Sequence, residues 1–275
     1  MRRITTNISM LLLMAFCMFS CNSNTKKATE SSYASSQSFQ LSDPMIVIEK
    51  ALFTDSTLVE IKAPYPNARI FYGLDQQTAT SDTLSYSQPF YIKEGGTIFA
   101  YASHPDFQMS ETISAAVFKI THSIAQADIA VNPAANPSYS GRGAQSLIDQ
   151  EKGSLNFRNT TEWLGFDSPV VRIQLDLKNP LSLKKLTLSS LIDQQAWIFG
   201  PREVNLFSKG KLLKKVRISG AENQQKNQLQ AIVIDLPQDS YSQFTIDIKT
   251  VSNIPTWHDG SGSQGWLFLD QILLD

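Results

Sequence analysis

The sequence predicts an all-β protein of two β-sandwich domains, a small one followed by a larger, jelly-roll-like one. Short runs rich in Val, Ile, Phe and Tyr recur every 8–12 residues or so, separated by turn residues; the chain holds 12 prolines and 13 glycines. Val171, Ile173, Leu175 and Leu177 alternate with Arg172, Gln174 and Asp176. That period of two puts one face of an antiparallel strand on a core and the other in water. No long stretch carries helical apolar spacing, and there is no tandem repeat.

The N-terminus sets the compartment. Arg2 and Arg3 precede an apolar stretch, Ile8 to Phe19, interrupted only by Ser9. A charged start followed by an apolar segment is the pattern of a secretory signal, and the stretch falls short of the roughly 20 apolar residues of a membrane span. It ends at Ser20-Cys21. Residues 1–20 resemble a bacterial lipoprotein signal, with Cys21 as the lipidated first residue. Met18 and Phe19 depart from the leucine and small residue usual there, and bulky Phe16 disfavours Cys17. The only two cysteines are Cys17 and Cys21, so the folded part has neither a disulfide framework nor a cysteine metal site. Residues 21–41, rich in Ser, Thr, Asn and Lys, read as a flexible tether that buries too little to fold.

The charge balance is close to neutral, 24 basic against 25 acidic side chains and a formal net charge of −1. With no basic patch, nucleic acid is not an expected partner.

Residues 42–120 read as the small sandwich. Strand-like runs at Met45–Ile48, Leu58–Ile61, Arg69–Tyr72, Phe90–Ile92, Thr97–Tyr101 and Ile113–Ile120 are punctuated by Pro64, Pro66-Asn67, Asp75, Pro89, Gly95-Gly96 and Pro105-Asp106. Val59-Glu-Ile61, Ile70-Phe-Tyr-Gly-Leu-Asp75, Tyr86-Ser-Gln-Pro-Phe-Tyr-Ile92 and Thr97-Ile-Phe-Ala-Tyr-Ala102 resemble the fibronectin-III-like domain found beside bacterial hexosaminidase and other glycosidase modules. Gln76 stands where that family usually has glycine. The resemblance implies a spacer. Asp75 and His104 read as a turn-capping Asp and a loop His.

Residues 122–275 read as the larger sandwich. Strand-like runs follow one another at Val170–Leu177, Lys185–Leu191, Val204–Phe207, Leu213–Ile218, Leu229–Leu236, Phe244–Ile248 and Trp266–Leu274. Seven or eight strands in about 150 residues predict a jelly roll. Five ordered motifs stand out: Leu147-Ile-Asp149 with Gly153; Trp163-Leu-Gly-Phe166; Gln174-Leu-Asp-Leu177; Trp197-Ile-Phe-Gly-Pro201-Arg-Glu-Val204; and Trp257-His-Asp-Gly260 with Gly265-Trp-Leu-Phe-Leu-Asp270. Together they resemble a discoidin-like domain, also called coagulation factor 5/8 type C, in the variant that follows the catalytic barrel of Bacteroidetes β-hexosaminidases. Family 32 carbohydrate-binding modules share that fold.

This resemblance implies a sandwich whose loops at one end hold a glycan. Trp197, Trp257 and His258 are the candidate contacts, with Asp259 and Arg202 behind them. An indole face stacks on the apolar face of a pyranose while a few placed polar groups bond its hydroxyls. Trp163 and Trp266 sit in strand-like apolar contexts and are expected in the core. The resemblance also implies a structural calcium under the first loop, with Asp149 as a ligand. The late acidic position of that site falls near Gln271, an amide.

Other motifs fail on context. Gly260-Ser-Gly262-Ser-Gln-Gly265 spells G-x-G-x-x-G but precedes a strand rather than a helix. His104, His122 and His258 lie far apart in sequence, and no serine occupies a G-x-S-x-G elbow. Asn159-Thr-Thr161 fits a glycosylation acceptor that a bacterial lipoprotein would not use. The expectation is a non-catalytic outer-membrane lipoprotein, facing the periplasm or the cell surface and binding glycan. The alternative is an adhesion or scaffold module with envelope-protein partners. A glycosidase would need a catalytic barrel of roughly 250 residues, for which two β domains leave no length.

Overall fold

The structure, a computed structural model, describes residues 38–74, 84–158, 161–218 and 227–275. The expected signal, Cys21, the tether up to residue 37 and Asp75 lie outside the described residues. The described chain is all-β, with three single-turn 3-10 segments between strands in its second half.

Before residue 120 the strands are β1 (Met45–Ile48), β2 (Leu52–Phe53), β3 (Thr57–Lys62), β4 (Arg69–Leu74), β5 (Leu84–Ser85), β6 (Phe90–Ile92), β7 (Gly96–Ser103) and β8 (Ile113–Lys119). They form two sheets, ordered β1-β3-β6 and β2-β8-β7-β4-β5. Period-two alternation sends Val59 and Ile61 of β3 inward to meet Ile70, Ile98, Ala100 and Val117 of the other sheet. Tyr72 stacks on Phe90 across the layers, ring centroids 4.6 Å apart. Leu41 is buried, and its N–H donates to the Gln108 carbonyl. Leu41, assigned to the tether from the sequence, is therefore part of the packed structure.

The rest of the chain forms β9 (Asp128–Asn132), β10 (Leu164–Phe166), β11 (Val170–Ile192), β12 (Glu203–Ser208), β13 (Lys211–Arg217), β14 (Gln228–Lys249) and β15 (Leu267–Leu274). Their order is β10-β15-β11-β14-β12-β13, with β9 also on β11. The runs Val170–Leu177 and Lys185–Leu191 prove to be one strand, β11, and Leu229–Leu236 and Phe244–Ile248 likewise merge into β14. The prolines that separate these runs, Pro180 and Pro237, mark breaks that are real but local. The ladder shifts register between Asp176 and Leu181 and between Leu183 and Lys185, and extended chain continues past each shift. The Tyr241 hydroxyl donates to the Pro237 carbonyl at 2.6 Å across the bend of β14. Before the bend β11 pairs with β9; after it, β11 pairs with β15. The two halves of these strands thus belong to two layers around one core, where Ile173 and Leu175 join Leu186, Leu188, Val204, Ile246 and Leu269.

All eight residues of β15 are buried. A strand covered on both faces reads as a continuous apolar run rather than an alternating one. Leu267 and Leu269 enter the main core; Phe268 joins Phe157, Trp163 and Ile198. Leu273 packs with Leu52, Ala116 and Phe118 of the first sandwich. Close by, the Ser114 hydroxyl donates to Gln228 Oε1 at 3.1 Å. The two sandwiches therefore meet through a small apolar cluster.

Candidate functional site

Two loops build one end of the larger sandwich. After β11, Asp193 caps a single 3-10 turn, Gln194–Ala196, and the chain reverses at Trp197 with φ +63°. A bulky side chain in left-handed backbone is strained. Here it is held by the Trp197 N–H donating to the Gln194 carbonyl and by the Trp266 N–H donating to the Trp197 carbonyl. The second loop runs from Thr250 to Gly265. It is closed by Gly265 N–H to the Val251 carbonyl, 2.8 Å, and Gly262 N–H to the Ile254 carbonyl, 2.9 Å. The Gln264 amide braces it on Thr250 Oγ1, 2.9 Å. Phe199, Val251 and Ile254 form the buried cluster beneath.

His258 joins the loops. Its Nδ1 accepts from the Gly260 N–H at 2.9 Å, and its Nε2 donates to the Gln194 carbonyl at 2.7 Å. A carbonyl only accepts, so the proton sits on Nε2 and both ring nitrogens are engaged within the protein. Three aromatic rings stand edge-on to this imidazole: Trp197 at 6.1 Å, Trp257 at 5.5 Å and Phe199 at 5.6 Å. Trp197 and Trp257 are each 40% exposed, large apolar surfaces on an otherwise polar rim. Gly260 lies under the Trp197 ring, where a Cβ would come within 3.0 Å of indole carbons.

Asp259 is exposed beside His258. Arg202 is exposed just before β12, with its N–H bonded to the Lys249 carbonyl and its carbonyl accepting from the Ile218 N–H. The structure therefore sets Trp197 and Trp257 beside the His258 ring and commits both nitrogens of that ring to loop backbone. Gln194, whose carbonyl orients His258, was missed in the sequence. It lies 64 positions away and carries no local signal.

Asp149 lies elsewhere, under the loop before β10. Its Oδ1 accepts from the Glu151 N–H at 2.9 Å and from Gln271 Nε2 at 2.8 Å, and Arg142 lies 3.6 Å from its Oδ2. Burial pushes the Asp149 carboxyl up, while those two hydrogen bonds pull it down. Among the described residues no three His, Cys, Asp or Glu side chains form a cluster able to hold a metal ion.

Trp163 is fully buried, its indole N–H donating to the Ser154 carbonyl at 3.0 Å. Trp266 is half-buried, edge-on to Tyr139 at 5.4 Å. His104 packs between Tyr65 and Phe107, and its Nδ1 accepts from the Asp106 N–H. No helix among the described residues is long and apolar enough to cross a membrane.

Residues 59–118 match the family described as Fn3 associated. None of the curated proteins compared matches the chain. Among solved structures, the chain is similar to the family 32 carbohydrate-binding module of Streptococcus pneumoniae EndoD. Identity is 11% and TM-score 0.37 over 56% of this chain and 97% of that one. It is also similar to the lectin binding domain of Lectinolysin, solved as a mutant complexed with Lewis b, at 12% identity and TM-score 0.37, covering 56% and 95%. A SusE-like protein matches at 11% identity and TM-score 0.35, covering 83% of this chain and 95% of that one.

Proposed function

We propose that this chain is a non-catalytic, lipid-anchored envelope protein that binds carbohydrate at the rim formed by Trp197 and Trp257. The observation that carries the reading is the pair of indoles, each 40% exposed and both packed around an imidazole committed to the fold. Burying apolar surface is favourable, so exposed tryptophans on braced loops are a standing cost that a ligand would relieve. A pyranose offers the matching chemistry, with an apolar face for an indole and equatorial hydroxyls for polar neighbours. In this reading Asp259 and Arg202 supply polar contacts, and His258 holds the platform rather than touching sugar. Residues 42–120 act as a spacer, and Cys21 carries the lipid that holds the protein on the outer membrane.

A glycan array probed with residues 38–275 tests the reading. Selective binding to one sugar family, weakened by Trp197→Ala and by Trp257→Ala with the fold intact, is the expected result. A blank array from folded protein would overturn it in favour of a protein-binding scaffold.

A further inference from the structure

The first-loop site does not fit a calcium ion, and that disagreement is specific to one residue. Calcium collects six to eight oxygens and needs several anionic or carbonyl donors turned toward one point. Three such oxygens do converge here: the Ser146 carbonyl, Asp149 Oδ1 and the Glu151 carbonyl. The centre they share is Gln271 Nε2, at 3.1, 2.8 and 3.0 Å respectively. Gln271 is 1% exposed and belongs to β15, while the three acceptors belong to the loop that follows the 3-10 turn Ala144–Leu147 or to that turn itself. Three acceptors cannot face an amide oxygen, so the chemistry requires the NH₂ group to point at them. The remaining charge of Asp149 is met by Arg142, which also lies 2.7 Å from Glu151 Oε2.

We infer that the Gln271 amide occupies the position of a cation, and that this chain closes its 142–151 loop onto β15 without metal. Two N–H bonds shared among three oxygens do the cross-linking that a dication would do.

It also predicts a latent site. Gln271→Glu would place a carboxylate against three oxygens, an arrangement that a bound cation relieves without protonating the carboxyl. Thermal unfolding of the full-length protein is followed in millimolar calcium and in chelator. The wild type is expected to melt at the same temperature, within about 1 °C, in both. Gln271→Glu is expected to melt lower in chelator. It should recover by about 5–10 °C when calcium exceeds its dissociation constant by about 100-fold. Gln271→Met, which keeps the length and loses the amide, is expected to melt several degrees lower regardless of calcium. Calorimetric titration of the wild type with calcium is expected to show no binding heat. A calcium-dependent rise in the wild-type midpoint or a binding isotherm would overturn the inference. So would a Gln271→Met midpoint equal to wild type, or a folded Gln271→Glu chain indifferent to calcium. If Gln271→Glu does not fold in either condition, the wild-type titration and Gln271→Met decide the matter.

Discussion

The Lys152 ammonium lies 2.6 Å from Asp270 Oδ2, with the Lys side chain 8% and the Asp side chain 0% exposed. The same carboxylate oxygen accepts from the Gly153 N–H at 2.8 Å, and the ammonium also reaches Ser189 Oγ at 2.8 Å. Above it sits the Phe118 ring of the first sandwich, 4.6 Å from the ammonium to the centroid. One buried ion pair thus ties the loop before β10 to β15 and lies against the cluster joining the two sandwiches. Burial pushes the Lys152 ammonium down, against the pull of the Asp270 carboxylate. Breaking such a pair strands a charge in a poorly solvating site, which costs roughly 3–5 kcal/mol. Lys152→Met and Asp270→Asn are each expected to lose about that much in urea unfolding. Lys152→Met/Asp270→Leu is expected to lose less than the sum. Additive losses would show that the two groups act separately.

Glu203 predicts an acid-sensitive contact between β12 and its neighbours β13 and β14. Hydrogen bonds from Lys215, Lys249 and Asn205 hold its carboxyl at about 2, below the ordinary 4.5. The distances are 2.9 Å to Lys215, 3.0 Å to Lys249 and 3.1 Å to Asn205. A depressed carboxylate contributes stability fully above its unfolded value and loses it as pH falls toward its folded value. The wild type should therefore lose stability between pH 4.5 and about 2 more steeply than Glu203→Gln. Parallel pH profiles of the two proteins would refute this.

At the rim, the roles of neighbouring residues separate. Trp257→Ala and Trp197→Ala should each weaken sugar binding at least about tenfold, near 1.4 kcal/mol, with little change in melting. His258→Ala removes the ring bonded to the Gln194 carbonyl and the Gly260 N–H. It should weaken binding and also expose residues 255–265 to protease. Asp259→Ala should leave the loop protected. Equal protection of His258→Ala and wild type would show that the imidazole does not hold the loop.

Gly153 is a packing requirement. A Cβ there would lie 2.4 Å from Trp163 Cε2 and 2.5 Å from Cζ2, and Trp163 is fully buried with nowhere to move. Gly153→Ala is expected to destabilise by about 1–3 kcal/mol, as overpacked cores do. Adding Trp163→Phe should return part of that loss by removing the crowded six-membered ring. A melting point equal to wild type for Gly153→Ala alone would show that the loop yields instead.

Much of the fold was legible because strand chemistry is local. The alternation of Val171 to Leu177, the largely apolar run of Trp266 to Leu274 and the turn residues around Gly95-Gly96 mark strands and a turn, and β11, β15 and the turn before β7 follow them, although the burial of Asp270 and Gln271 within β15 was not legible. β9 was missed because Asp128-Ile-Ala-Val-Asn132 offers only Ile129 and Val131 as bulky apolar residues, and both are only half-buried. The merging of two apolar runs into β11 was hidden by Pro180. A missing N–H interrupts the ladder there, but whether the chain turns away or bends and continues depends on the partner strand.

By itself the sequence determined the all-β class, the inward faces of the long strands, the burial of Trp163 and the exposed character of the Trp257-His258 loop. Each follows from apolar period or from turn chemistry within a few residues. Only the tertiary structure decided what those groups meet. It placed the Gln194 carbonyl on His258, Asp270 on Lys152 and the Gln271 amide among three loop oxygens, across separations of 64, 118 and at least 120 positions. Hydrogen-bond partners so far apart are chosen by how the sheets stack, and no local pattern in the chain encodes that choice.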